Sequence, residues 1–292
     1  SNIHNFTPSH YFYISQDKNT ISFNKLKYYT LPDYILNICN NNNDFNDVNI
    51  KVSVIISIRN EGANIKKLVE SLRTQNYNKD SYDVIIVNDH SDDNSWELLC
   101  NEKLNWPDLQ LLDMDVNEYG KKKALSKAIN FSNSEVILTS DADCLFTPQW
   151  IKSMTSCFIN DKINLASGPV SFNHQSTFFN QIQTLEFLSL IASGAAAIGL
   201  NKPIFCNGAN LAYRRKVFLE VNNYHDNDIA SGDDVFLLHM VKKVYPGSIL
   251  FIKKFEAIVM TDSISTFRKF INQRIRWVSK SSSYKDAYTI YT

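Results

Sequence analysis

The sequence predicts a doubly wound α/β fold, a mostly parallel sheet flanked by helices, and three observations carry that prediction. Two short runs, "VSVIIS" at Val52–Ser57 and "DVIIVND" at Asp83–Asp89, are apolar almost throughout, as strands buried on both faces of a parallel sheet require. The first is followed by helical spacing, with Ile65, Leu68, Val69 and Leu72 falling on one face. The alternation then continues with a helix near Trp96–Cys100, a strand in "LQLLDM", a helix in "KKALSKAINF" and a strand in "EVILTS". Strand and helix alternating over about 90 residues mark a doubly wound sheet.

Around that pattern the chain divides simply. Residues 1–47 form an aromatic, Asn-rich extension closed by a polar linker, "NNNNDFND", Asn40–Asp47. Residues 48–292 form the patterned domain. A hydrophobic fraction of 44% and a charged fraction of 21% suit a sizeable core. A formal net charge of zero gives no drive toward nucleic acid. Five scattered cysteines (Cys39, Cys100, Cys144, Cys157, Cys206), none in a Cys-x-x-Cys pair, point to reduced thiols in a cytosolic setting. No signal peptide stands out, and no apolar run reaches the roughly 18 residues of a membrane span. The nearest, Phe187–Leu200, reads as a core helix. The opening Ser-Asn and the untidy ending read as an expressed fragment of a longer chain, which leaves room for a membrane segment in the parent protein.

In doubly wound sheets ligands bind beyond the carboxyl ends of the strands, and polar clusters gather there. The first strand ends in Arg59-Asn60-Glu61, the second in Asn88-Asp89-His90, and the fourth in Asp141-Ala142-Asp143. Loop residues capping the next helix would explain any one cluster; three together point to a site. No Gly-x-Gly-x-x-Gly follows the first strand and no Walker lysine loop is present, so dinucleotide oxidoreductases and P-loop NTPases are disfavoured. Paired acids suggest that phosphate is held through Mg²⁺ or Mn²⁺, which share one or two carboxylates with substrate phosphates. An Asp-x-Asp at a strand end can place one carboxylate on the metal and leave the other for a ribose hydroxyl or a water.

The second half adds two features. In "ASGDDVFLLHMVKKV" a helix starts near Gly232, with Asp233 and Asp234 in its first turn and Phe236, Leu237, Met240 and Val241 as its apolar face. Acids there favour the helix dipole by about 0.3–1 kcal/mol, or deliver a general base into the cleft. In "TFRKFINQRIRWVSK" the spacing predicts an apolar stripe of Ile264, Phe267, Ile271, Ile275 and Val278, with Gln273, Arg276 and Trp277 on the opposite side. Such a tryptophan packs on a second element or stacks on a sugar ring, and Arg276 can clamp phosphate. Arg268, Lys269, Arg274 and Lys280 also suit this helix to an anionic membrane surface.

These segments, "VSVIISIRNE", "VIIVNDHSDDNS", "LTSDADCLF", "GANLAYRR", "SGDDVFLL" and "QRIRW", resemble in content and order the family 2 inverting glycosyltransferases of the GT-A fold. The likeness covers roughly residues 50–280, and the closing Gln-x-x-Arg-Trp resembles the cellulose, chitin and hyaluronan synthase branch, whose members are usually membrane-associated. It implies a nucleotide-binding half at about 50–145 and an acceptor half at about 146–280. It also implies a nucleotide-diphosphate sugar donor, UDP-linked, with Asn60, Glu61 and Asp89 on the nucleotide side, Asp89 at the base. Asp141 then faces the nucleotide and Asp143 the metal. Lys121 is the lysine best aligned to reach the nucleotide, with Lys122 and Lys123 as alternatives. Asp234 matches the catalytic base and Asp233 the Glu position before it. Gln273, Arg276 and Trp277 match residues holding the donor diphosphate and the acceptor end.

The sequence departs from the family pattern at Ser57, where Pro is frequent, at Asn88, where the first of two Asp is frequent, and at Asp233. The resemblance implies a metal-dependent hexosyl- or N-acetylhexosaminyl-transferase acting by one inverting displacement. It implies a saccharide or lipid-linked acceptor, no nucleic acid partner, and work at the cytoplasmic side of the cell membrane in polysaccharide or glycolipid synthesis. Two rivals remain at this stage. A nucleotidyltransferase calls for a Gly-rich, Arg- and Lys-bearing loop, which "IRNEGANIKK" fits poorly. A non-catalytic nucleotide-sugar-binding domain would not need Asp234 or the Gln-x-x-Arg-Trp set.

Overall fold

The computed structural model describes residues 11–17, 20–27, 50–173, 177–222 and 233–281. Strands β1 (Tyr11–Asp17) and β2 (Thr20–Lys27) pair antiparallel as a ribbon of their own. Sequence reading took this region for a weakly patterned, aromatic and Asn-rich extension, although its aromatic and β-branched residues are strand formers. The Asn40–Asp47 linker lies outside the described residues.

The main sheet has seven strands. The chain enters at β3 (Val52–Ile58), steps outward to β4 (Tyr82–Asn88) and β5 (Gln110–Asp113), and returns to the other side of β3 as β6 (Val136–Asp141). After the short β7 (Leu145–Phe146) it adds β8 (Leu165–Ser167), with β9 (Val170–Phe172) following. Strand β10 (Leu211–Arg214) inserts between β6 and β8, and β11 (Ile249–Phe251) closes the far edge. Only β10 runs against its neighbours in this sheet; every other pairing is parallel. The expected doubly wound, mostly parallel architecture is therefore present, and strands from both halves share one sheet.

The continuous apolar runs have the predicted cause. Alternate residues of β3, β4 and β6 enter two separate cores, Val54, Ile56, Val84, Ile86 and Leu138 on one face and Ile55, Ile85, Val87 and Ile137 on the other. The first face is covered by α1 (Ile65–Arg73), α2 (Ser95–Asn105) and α4 (Trp150–Thr155), the second by α3 (Lys121–Phe131), α6 (Arg215–Asn222) and α7 (Asp233–Val244). All of these strand residues are closed to solvent. Each contributes about 1.5–3 kcal/mol relative to an exposed side chain.

This topology creates the site. The chain reverses its direction of strand addition between β3 and β6, and the crevice at such a reversal is where open α/β sheets bind ligands. There Ser57 pairs with Asp141 in register. A second, three-stranded sheet lies alongside, in which β12 (Val259–Thr261) runs antiparallel to β7 and parallel to β9.

Two helices differ from expectation. The segment expected as a short core helix is the end of α5 (Phe178–Gly199), a 22-residue helix. It is the one helix among the described residues long and apolar enough, by length and composition, to cross a membrane, where the sequence reading found no run of that kind. Phe187, Ile191, Ala195 and Ile198 face the body, whereas Phe178, Ile182 and Leu185 are exposed. The last helix among the described residues, α8 (Phe267–Ser281), turns its apolar stripe away from the body, and of the two readings of its tryptophan the packed one is observed. Its apolar stripe, Phe267, Ile271 and Ile275, is exposed, while Trp277 packs on the first core through Phe187 at 6.3 Å. The cause is Arg274. Its guanidinium pairs with both carboxylate oxygens of Glu186 on α5 and lies 4.4 Å from the Phe270 ring and 4.2 Å from the Trp277 ring. A forked ion pair with two aromatic contacts turns that side inward. The side chain of Val278 lies outside the described residues.

Candidate active site

The loops after β3 and β4 are knitted together before they can bind anything. Asn60, in the left-handed region at φ 58°, donates its backbone N–H to Ser91 Oγ at 3.0 Å and accepts the Asp92 N–H on its side-chain oxygen at 2.9 Å. The Glu61 N–H reaches Ser95 Oγ at 2.8 Å. Gly62 permits this contact, since a Cβ there would lie 2.2 Å from Asn94 Oδ1. Asn60 thus braces the loop, and Glu61 lies beside the acids of β6. Burial, together with the Asp143, Asp141 and Asp93 carboxylates, raises the Glu61 carboxyl against the lowering effect of its hydrogen bond from Asn64.

Asp89 is buried, at 4% exposure. Its Oδ2 accepts the Gly120 N–H at 3.0 Å and its Oδ1 lies 3.2 Å from His90 Nδ1. Gly120 holds φ 98°, a conformation natural to glycine. That turn starts α3 and delivers Lys121 to the crevice, where its ammonium pairs with Asp141. Burial works to lower the Lys121 ammonium, but the Asp141 carboxylate, with Asp234 and Cys144 adding to it, carries the net shift upward. Lys121 is therefore the member of the basic triplet that the fold places between Asp141 and Asp234. Lys123 is exposed.

Asp143 sits two residues past β6 and two before β7. Burial and then the Asp141 charge raise its carboxyl, against hydrogen bonds from Thr261 and Cys144. The same burial and charges push the Cys144 thiol far up, so it stays protonated. Among the described residues Cys100, Cys144, Cys157 and Cys206 form no disulfide, and Cys39 lies outside them.

Asp234 opens α7 opposite these acids. Its Oδ2 accepts the Gly208 N–H at 2.8 Å and its Oδ1 the Val235 N–H at 2.9 Å. The loop bearing Gly208 is held by Asn210, which accepts Trp150 Nε1–H at 3.0 Å and donates to the carbonyls of Pro169 and Ala257. Ser140 Oγ, from the end of β6, donates to Ala209 O at 2.6 Å. One loop thus locks Asp234 to the strand that carries Asp141. The backbone of Asp233 begins α7, but its side chain and Gly232 lie outside the described residues.

The structure therefore gathers Glu61, Lys121, Asp141, Asp143 and Asp234 into one crevice, with Asp89 behind Lys121. It leaves Gln273, Arg276 and Trp277 apart from them. Among the described residues no hydrogen bond or ion pair joins those three to the acids, and Arg276 is exposed. Four carboxylates against one ammonium make a strongly cation-attracting pocket. Its hard oxygen donors, two Asp carboxylates and the Thr261 hydroxyl, fit Mg²⁺ or Mn²⁺ bound jointly with a diphosphate. Among the described residues no three His, Cys, Asp or Glu side chains converge as a complete metal cage, so the ligand would complete the coordination. Sequence reasoning missed Thr261, Gly208 and Asn210. "GAN" was in view as part of a motif, but Thr261 carried no signal because its partner is 118 positions away.

Comparison with known proteins bears on the family and the fold. Residues 53–221, more than half of the chain, match the family model described as glycosyl transferase family 2. Glycosyltransferase AglE of Haloferax volcanii is 26% identical over 182 residues, 62% of this chain and 58% of the relative. The poly-beta-1,6-N-acetyl-D-glucosamine synthase of Staphylococcus epidermidis is 26% identical over 183 residues, 62% of this chain and 43% of the relative. The chain thus spans about half the length of the curated relatives it matches. Among solved structures, the mannosyltransferase PcManGT from Pyrobaculum calidifontis, in complex with GDP-Man and Mn²⁺, superposes with a TM-score of 0.61 at 17% identity, covering 80% of this chain and 63% of that one. S. aureus TarS 1–349 in complex with UDP-GlcNAc does so with a TM-score of 0.53 at 18% identity, covering 74% and 60%. At these identities the likeness is one of fold, the GT-A architecture.

Proposed function

This chain belongs to glycosyl transferase family 2, and from that premise we propose that it is an inverting, metal-dependent transferase that moves a hexosyl or N-acetylhexosaminyl group from a UDP-linked donor to an acceptor hydroxyl. The observation that carries the reading is the placement of Asp234 across the crevice from Asp141 and Asp143, with Lys121 between. The acids of β6 and the ammonium serve the leaving diphosphate, and the acid of α7 serves the attacking oxygen. The curated relative named as a poly-N-acetylglucosamine synthase and the UDP-GlcNAc carried by a structural neighbour support the donor class.

In this mechanism the backbone donors of Gly208 and Val235 fix the Asp234 carboxylate in one orientation, with lone pairs left to take the acceptor proton. A positioned base of this kind contributes roughly 10²–10⁴ in rate. Lys121 donates to the diphosphate as negative charge grows on it. A divalent ion held by Asp143, with Asp141 and Thr261 beside it, supplies Lewis-acid stabilisation of the same leaving group when bound. Gln273, Arg276 and Trp277 act at the diphosphate and acceptor end once substrate bridges the distance.

The acceptor is a saccharide or a lipid-linked sugar, and the setting is the cytoplasmic face of a membrane. Supporting this are the exposed Phe267, Ile271 and Ile275 of α8 and the exposed Phe178, Ile182 and Leu185 of α5, on two helices joined by the Phe179–Phe267 ring contact and the Arg274–Glu186 pair. Helix α8 carries Arg268, Lys269, Arg274, Arg276 and Lys280 and no acid, the pattern of a helix on an anionic lipid surface.

The deciding experiment is a panel of nucleotide sugars with Mn²⁺ or Mg²⁺, scored for nucleotide release with sugar acceptors present. Release from a UDP-sugar that disappears in Asp234→Asn, with donor affinity kept, supports the reading. Substantial turnover in that variant removes Asp234 from its role. Co-sedimentation with vesicles containing anionic lipid, lost at high salt, tests the surface; equal binding to neutral vesicles or none at all overturns it.

A further inference from the structure

A second cleft opens at the end of the sheet opposite the crevice. Asn164 stands one residue before β8, Ser248 one before β11, and Lys216 two after β10. Strands β8 and β11 are parallel, and β10 runs against both β8 and β6. All three positions therefore fall at the amino ends of the parallel strands, whereas the acids gather at the carboxyl ends. The cleft has a volume of about 390 Å³ and is also lined by Lys162 and by the turn at Pro246 and Gly247. That volume is within the range of small-molecule sites.

Its inner wall carries an amide with nothing to bind. Asn164 is 6% exposed. Its backbone is used on both sides: the N–H donates to Ser248 O at 2.9 Å, and the carbonyl accepts the Arg214 N–H at 3.0 Å. Its side-chain amide makes no hydrogen bond among the described residues, and neither amide atom is sealed from solvent. Buried polar side chains are nearly always paired, and asparagine is mostly an exposed residue. The charge around this amide is positive. Lys162 and Lys216 are exposed and join no ion pair among the described residues. The neighbouring acids are already answered, Asp161 by the Arg214 guanidinium at 3.5 Å and Glu220 by the Tyr245 hydroxyl. Pro246 and Gly247, the latter at φ 77°, make a type II turn closed by the Ser248 N–H on Tyr245 O at 3.2 Å, which fixes the rim.

We propose that this cleft is a second binding site, which takes a small organic phosphate bearing hydroxyl groups, of the sugar-phosphate class, separately from the nucleotide-sugar crevice. The two ammoniums answer the phosphate as point charges. The amide calls for the rest of the ligand. Its nitrogen donates to a ligand oxygen, but its oxygen only accepts, so it repels a bare anion and matches a hydroxyl. The cleft has room for that hydroxylated body beside the phosphate. The inference goes beyond the transferase reading and does not depend on it.

The test is calorimetric titration of glucose 6-phosphate, inorganic phosphate and glucose into the wild-type chain, with and without UDP and Mn²⁺. Glucose 6-phosphate should bind at one site, at least about threefold more tightly than inorganic phosphate, with glucose unbound. UDP with Mn²⁺ should leave that affinity unchanged. The double variant Lys162→Met, Lys216→Met should weaken it at least about tenfold, the scale of two exposed charge contacts together. Asn164→Leu, close to asparagine in shape, should weaken it about threefold or more, while Tm stays level or rises because no protein partner is lost. Both lysines are on the surface, so their double variant reads binding with the fold intact. Absence of saturable binding, equal affinity for inorganic phosphate, displacement by UDP, or unchanged binding in the double variant overturns the inference and leaves the transferase reading standing. A fall in Tm in Asn164→Leu assigns the amide to the fold and overturns it equally. Failure of UDP to bind bears on the transferase reading alone.

Discussion

Thr261 Oγ1 donates a hydrogen bond to Asp143 Oδ2 at 3.0 Å, joining residues 118 positions apart. The small sheet makes the contact, because β12 lies antiparallel to β7 directly after the acid pair. Burial and the Asp141 charge both work against the ionised Asp143, and the Thr261 hydroxyl opposes them. Thr261→Val keeps the shape and removes the donor. Loss of a hydrogen bond to a charged group costs about 1.5–3 kcal/mol, so Mn²⁺-dependent UDP affinity should fall at least about tenfold. Calorimetry with and without Mn²⁺ checks it, and an unchanged affinity assigns Thr261 to the fold alone.

Gly208 is fitted against Asp234. A Cβ on Gly208 would stand 3.1 Å from Asp234 Oδ2 and 3.3 Å from its Cβ. Gly208→Ala should therefore displace the proposed base while the donor side is untouched. The expected result is kcat lowered about tenfold or more with donor Kd unchanged, measured by steady-state kinetics and titration. Weakened donor binding would show that the loop serves the nucleotide.

The basic triplet can be resolved residue by residue. Lys121 and Lys123 are both exposed by surface area, and what sets Lys121 apart is its pairing with Asp141 and the pull of Asp234. Lys121→Met should weaken UDP binding by about tenfold or more, the scale of one charge-assisted contact. Lys123→Met should change it less than about twofold, as surface charges outside the acid cluster do. Equal effects from the two would place the diphosphate elsewhere.

Two arginines of α8 should separate cleanly. Arg274 is tied to Glu186 and flanked by Phe270 and Trp277. Arg274→Ala should destabilise the chain by about 1–3 kcal/mol, read as a lower Tm. Arg276 is exposed, and Arg276→Ala should leave Tm unchanged while lowering transfer. A shared fall in Tm would make both structural.

Asp83 gives a pH signature remote from the site. Burial raises its carboxyl, against hydrogen bonds from Ser53 and Ser134. The folded protein therefore holds that proton more tightly than the unfolded chain. Stability from this group is fully present below the unfolded Asp value and is lost as pH rises through the folded one. Asp83→Asn should match the wild type in acid and exceed it in Tm near neutrality. Thermal scans across pH check this; a gap that instead closes as pH rises contradicts it.

The apolar runs at Val52–Ser57 and Asp83–Asp89 and the helix spacing between them announced the sheet, because burial on both faces leaves a local mark. The acids at strand ends were legible for the same reason. The ribbon of β1 and β2 passed unnoticed among aromatic residues. The stripe on α8 was legible as a stripe, but not which side of the helix faces the body. Its orientation depends on Glu186, 88 positions from Arg274, and no local pattern registers such a partner.

What the sequence determined by itself is the set of elements, their order and the residue types brought to the crevice. Periodicity and side-chain chemistry are properties of neighbouring residues, so they survive in one dimension. The tertiary structure alone decided that Lys121 lies between Asp141 and Asp234, that Thr261 supports Asp143, that Asp89 turns inward to hold His90, and that Trp277 packs inward. Each depends on a contact across strand crossovers, where distance in space has no counterpart in distance along the chain.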